Sequence, residues 1–205
     1  MPTDAAGMLF FFDEYQYLKS QDKVQEGFEE KHNILSFEIS PKRIIRIITS
    51  YCHLEGRCTY PEYRPLICKV YPYFPRISLD TLEITGYAYS SALDQYWGAL
   101  SLKHPCHIVQ TLDEKKIFKH LEVFKPLLSN PYFIFYFKAI EIVLDNLKAH
   151  LQKTQSQIFN LPPADFFSRW EFLYVTGKAF NKKEILSKLE WLDNEVQRRF
   201  GYFEL

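Results

Sequence analysis

The chain has 205 residues, 47% of them hydrophobic and 17% aromatic, enough for one substantial core. Lys and Arg together number 25, as do Asp and Glu, so the formal net charge is zero and the pI is near 7.0. That balance argues against non-specific nucleic-acid binding, and the aromatics read as core and tyrosine-rich surface before they read as stacking platforms for bases.

In chain order, residues 4–20 read as a first helix, with Leu9, Phe12, Tyr15 and Leu18 at helical spacing. The run 8–12 stops at Asp13 and Glu14, too short for the apolar region of a secretory signal. Asp13-Glu14 and Glu29-Glu30 read as solvated carboxylate pairs rather than as a general acid and base. Gly27 ends the helix or opens a loop, and 34–39 alternates as a short strand. Ser40-Pro41 reads as the N-cap and first position of a helix through Ile44, Ile45, Ile47 and Ile48, leading to Cys52.

Residues 51–75, YCHLEGRCTYPEYRPLICKVYPYFP, hold three of the four cysteines (Cys52, Cys58, Cys68) and four of the eleven prolines. Proline fixes φ and removes a donor, so this segment is expected to be a rigid irregular loop, neither a regular helix nor a central strand. Gly56 permits a turn between Cys52 and Cys58, while Arg64-Pro65 and Tyr71-Pro72 stiffen the walls around Cys68. Arg57, Arg64 and Lys69 lie nearby, and cations favour thiolate over thiol.

Residues 77–89 suggest a hairpin bending near Asp80, and 90–100 a short helix with Tyr96 and Trp97. His104-Pro105-Cys106-His107 is a second irregular stop with ligand-capable side chains. Beyond it the pattern is helical. Thr111 and Glu114 suggest a capping box. Asn130-Pro131 opens a long helix striped by Phe133, Phe137, Ile140, Leu144, Leu147 and Leu151. Pro162-Pro163 breaks it before a helix with Phe166, Trp170, Leu173 and Tyr174, and Asn181 with Glu184 caps a last one carrying Ile185, Leu189, Leu192 and Val196.

The cysteine spacing is C-x5-C-x9-C, without the C-x2-C knuckles of common zinc modules. Three thiolates need a fourth ligand for a tetrahedral site: Cys106, His104, His107, less favourably His53, or a group from outside the chain. Spacing alone suits such a site and equally suits four reduced thiols packed in a core. A cysteine–histidine nucleophile from Cys68 or Cys106 with His104 or His107 is a third option, with no orienting Asn or Asp identifiable.

The segment Cys52-His-Leu-Glu-Gly-Arg-Cys58, then Tyr60-Pro-Glu-Tyr-Arg-Pro-Leu-Ile-Cys68-Lys-Val-Tyr71-Pro72, resembles the signature half of the YkgJ-like cysteine-cluster family. The Arg-Pro-x-x-Cys and Tyr-Pro elements stand at the family's offsets, with Lys69 where Arg is usual. The resemblance covers about 25 residues and implies a zinc- or iron-chelating domain, with Cys52, Cys58 and Cys68 as metal ligands and the iron, where present, as an iron–sulfur cluster. Some relatives are linked to flagellin lysine methylation, which adds a protein-modifying enzyme to the readings. No Gly-rich loop supports a nucleotide or S-adenosylmethionine pocket. The family also carries an earlier C-x2-C-x2-CC cluster, and this chain has no cysteine before Cys52. The resemblance therefore implies either ligands lost upstream by truncation or a smaller site completed by Cys106.

Taken together, the expectation is an α+β, predominantly α-helical fold. An irregular Cys/Pro-rich metal loop and a small β-hairpin pack on a C-terminal helical half. The single domain over 1–205 has a cysteine-cluster lobe at 1–110 and a helical lobe at 111–205. The expected setting is cytoplasmic, without membrane or nucleic-acid contact and with room for a protein partner. A metal-free helical interaction module with a relic cysteine loop is the alternative.

Overall fold

A computed structural model describes residues 6–22, 33–52, 64–89, 96–97, 100, 102–103 and 107–205. The fold is α+β and predominantly helical, as expected. The chain divides into two compact units, Met1–Tyr71 with Leu205, and Pro72–Glu204.

The first unit is built on a three-stranded antiparallel sheet in the order β1-β3-β2. β1 (Ala6–Phe11) leads into α1 (Phe12–Ser20), and β2 (Asn33–Ser40) turns into β3 (Arg43–Cys52). β3 pairs with β1 from Phe11↔Ile47 to Ala6↔Cys52, and with β2 from Asn33↔Thr49 to Ser40↔Arg43. Two expectations are corrected. Residues 4–20 are not one helix, because 6–11 pair with β3. Residues 41–52 are not a helix either, since Ile44, Ile45, Ile47 and Ile48 belong to a strand. β-Branched residues lose χ1 freedom in a helix and pack well on a pleated surface. Pro41 sits at the first central position of the β2–β3 turn, and Lys42 follows with φ +70°, the sign that a type II turn requires at its second central residue. Ile39 and Ile48 are buried, as are Tyr15 and Leu18 of α1. α2 (Leu66–Val70) closes this unit and packs against β1.

The second unit opens with the hairpin β4 (Tyr73–Ile77) and β5 (Ile84–Tyr89), which starts four residues earlier than the sequence suggests. Each strand of a two-stranded ribbon keeps one outer edge, so Pro75 is accommodated opposite Tyr87. α3 (His107–Thr111) and α4 (Glu114–Leu121) follow, then a 3-10 stretch, Glu122–Ser129. The N-cap of α4 is Asp113, which accepts from Lys116 N; Thr111 instead ends α3. The expected helix over 90–100 lies almost wholly outside the described residues.

α5 (Pro131–Thr154) is the spine of this unit, capped by Asn130 as its sequence indicates. It packs against β4 and against α7 (Lys182–Phe200), whose buried residues include the expected Ile185, Leu189, Leu192 and Val196. Each such apolar side chain contributes roughly 1.5–3 kcal/mol by leaving water. On the hairpin side, Phe74 meets Phe137 edge-on at 5.3 Å between ring centroids. Arg76 holds Asp145 through both terminal nitrogens and Glu141 through one, and Lys138 reaches Ile77 O and Glu141. α6 (Pro163–Val175) ends at Gly177, φ +67°, in a Schellman motif: Lys178 N donates to Leu173 O and Gly177 N to Tyr174 O. Among the described residues, no helix is long and apolar enough to cross a membrane.

Candidate metal centre

Two of the four candidate ligands fall on described backbone. Cys52 is the last residue of β3, paired with Ala6. Cys68 is the third residue of α2 and is half-buried. Cys58 and Cys106 lie outside the described residues, as do His53, Gly56 and His104. His107 is the first residue of α3.

Part of the expected irregular loop is therefore a short helix, a correction with a simple cause. Pro65 is the N-cap of α2 and Pro72 follows its end, so both prolines bracket the helix and neither interrupts it. Pro65 and Pro72 are buried and Arg64 is half-buried.

The residue that sequence reasoning missed is Glu14. Its Oε1 accepts from Leu66 N, the first helical amide of α2, at 2.6 Å across 52 residues of chain. It also accepts from the backbone amide of Phe11, the N-cap of α1. Burial pushes the Glu14 carboxyl above its ordinary value, against the opposing pull of the two amides and of the Lys69 charge. Asp13 beside it is exposed, as expected of a solvated carboxylate. A Glu three residues after an N-cap is a sequence signal. It was hidden because the helix was expected to begin at residue 4, which puts Glu14 in mid-helix.

β1 is the common neighbour of both described cysteine segments. α2 packs against it, and the end of β3 that carries Cys52 pairs with it. The donor chemistry of the proposed set, thiolates that include one at a strand end and one on a short helix, suits zinc or an iron–sulfur cluster. Among the described residues, no three His, Cys, Asp or Glu side chains gather. Among the described residues, a surface depression at the start of α4 is lined by Asp113, Glu114, Lys115 and Phe118.

No family model, no curated protein and no solved structure matches the chain.

Proposed function

We propose that this chain is a thiolate metal-binding protein of the YkgJ-like kind. Cys52, Cys58 and Cys68 supply three ligands, and Cys106 is the fourth on the sequence argument. The observation that carries the reading is the concentration of three of four cysteines within 17 residues of one Pro-rich segment. That segment begins at a strand end and finishes in a short helix, both neighbours of β1. A zinc ion there would tie strand to helix as a closed structural site, and an iron–sulfur cluster would do the same with redox capacity. The chain's own part is to carry Cys52 at a strand end and Cys68 on a short helix, and to favour their ionised form with Lys69 close in sequence. Such thiols persist in a reducing cytoplasm, and the neutral net charge favours a protein partner over nucleic acid.

A second reading, a metal-free interaction module, draws on the exposed aromatics Phe172, Tyr174 and Trp191 of α6 and α7 and on Tyr202. Metal content and visible absorption of anaerobically purified protein separate the two. About one zinc per chain without colour supports the structural site. Iron with broad visible absorption supports a cluster. Metal-free protein with four titratable thiols rejects the metal reading and leaves the module. Cys→Ser changes at positions 52, 58, 68 and 106, made singly, are expected to lower the bound metal in each case.

A further inference from the structure

α2 has five residues, far fewer than a helix needs to hold itself together in water. Its N-cap is Pro65, which makes no side-chain capping bond. The first helical amide, Leu66 N–H, has no partner within its own helix. Glu14 supplies one from 52 residues upstream. The same carboxylate takes the amide of Phe11, and the N-cap of α1 also lacks a side-chain capping bond. One negative group therefore caps two helices and meets the positive ends of both. Cys68 stands two residues beyond Leu66, and its amide donates to Pro65 O at 2.9 Å.

We infer that Glu14 is a positioning residue for the thiolate site: by capping α1 and α2 together, it fixes where Cys68 stands relative to β1 and, through the β1–β3 ladder, relative to Cys52. The inference rests on the reading of Cys68 as a ligand. Glu14 acts through the Leu66 amide and needs no contact with metal. Sequence-local forces alone would leave α2 frayed, so the cysteine's place depends on a bond made in the tertiary structure.

The test uses the full chain with Glu14→Ala, which removes the acceptor, and Glu14→Gln, which keeps an oxygen. Glu14→Asp keeps the charge on a stem one methylene shorter, too short to reach both amides. It carries the comparison should Glu14→Ala unfold the unit. Two quantities are read: amide exchange across 66–70 in metal-free protein, and zinc affinity by chelator competition. In Glu14→Ala, the α2 amides are expected to exchange faster while β3 stays protected. Zinc affinity is expected to fall roughly tenfold, the lower end for losing a partner that orients a ligand. Glu14→Asp should follow Glu14→Ala, and Glu14→Gln should recover most of both properties. Unchanged exchange across α2 in Glu14→Ala and Glu14→Asp refutes the double cap, whatever the metal does. Faster exchange with unchanged zinc affinity refutes positioning. Wild-type protein that binds no zinc, yet shows the exchange response, defeats the metal reading and the positioning of a ligand with it, leaving the cap as a feature of the fold.

Discussion

Asn146 is the polar residue on which the α5–α7 contact turns, and replacing it by alanine tests how that contact is held. It lies on α5 at 4% exposure. Its Oδ1 accepts from the backbone N of Asn181, the N-cap of α7, at 3.1 Å. After Lys188, the larger cause, it also helps hold the exposed Glu184 carboxyl below its ordinary value, a contribution water can replace. Asn146→Ala thus strands one backbone donor. An orphaned donor costs about 1–3 kcal/mol, and the lower half of that range applies because Asn181 is itself exposed. Losing the packed side-chain atoms adds to this, for an expected total of about 2 kcal/mol. Asn146→Asp retains the acceptor for Asn181 but sets a second negative charge against Glu184, so it should recover only part of the loss. All three tryptophans, Trp97, Trp170 and Trp191, belong to the second unit, so urea unfolding followed by tryptophan fluorescence reports on it. A fitted stability for Asn146→Ala within about 0.5 kcal/mol of wild type, the scatter of an ordinary surface change, would refute the reasoning.

Two further outcomes follow from the same physics. Leu192→Ala, at a fully buried site on α7, should cost about 2–5 kcal/mol in the fluorescence assay, more than Asn146→Ala; the reverse ranking would place the α5–α7 energy in its polar pair. Glu14 predicts a pH dependence of opposite sign to that of most paired carboxylates. Its folded carboxyl is raised above the ordinary 4.5 chiefly by burial, so the folded state holds the proton more tightly than the unfolded state does. The contribution is fully present below the ordinary value and is lost as pH rises through the raised one. Protection of β3 amides, corrected for intrinsic exchange, should fall across that window in wild type and stay level in Glu14→Gln; parallel profiles would remove Glu14 as the cause.

The parts of the fold legible in the sequence are those whose signals are local. Asn130-Pro131, Pro162-Pro163 and the Asn181–Glu184 pair each start a helix within a few residues of where the pattern places it. The long stripe on α5 holds at Phe137, Leu144, Leu147 and Leu151, all buried; Phe133 and Ile140 are only half-buried, while Ile134, Phe135 and Asn146 are buried beside it. Ser40-Pro41 misled because proline's φ suits the first turn of a helix and the first central position of a tight turn equally. Only the isoleucines after it distinguish the two. β1 was illegible because its partner is β3, more than thirty residues away, while its own residues carry no strand alternation. At the candidate site the cysteines announce themselves by type and spacing. Glu14 does not, since the amide it takes lies 52 residues on. Cys58 and Cys106 fall outside the described residues.

The strand order β1-β3-β2 also has a consequence in time. The central strand is the last of the three to be synthesised, so β1 leaves the ribosome with no edge to join. β2 and β3 share a tight turn and can pair as soon as both exist, but β1 must wait for Cys52, roughly two to eight seconds of elongation at about 5–20 residues per second. During that interval the apolar run Met8-Leu-Phe-Phe-Phe12 is an unpaired strand, the kind of segment that chaperones cover and that aggregates when they do not. β1 can therefore be fitted into its sheet only once β3 has been made, and the Ala6–Cys52 pair lies at the end of that fitting.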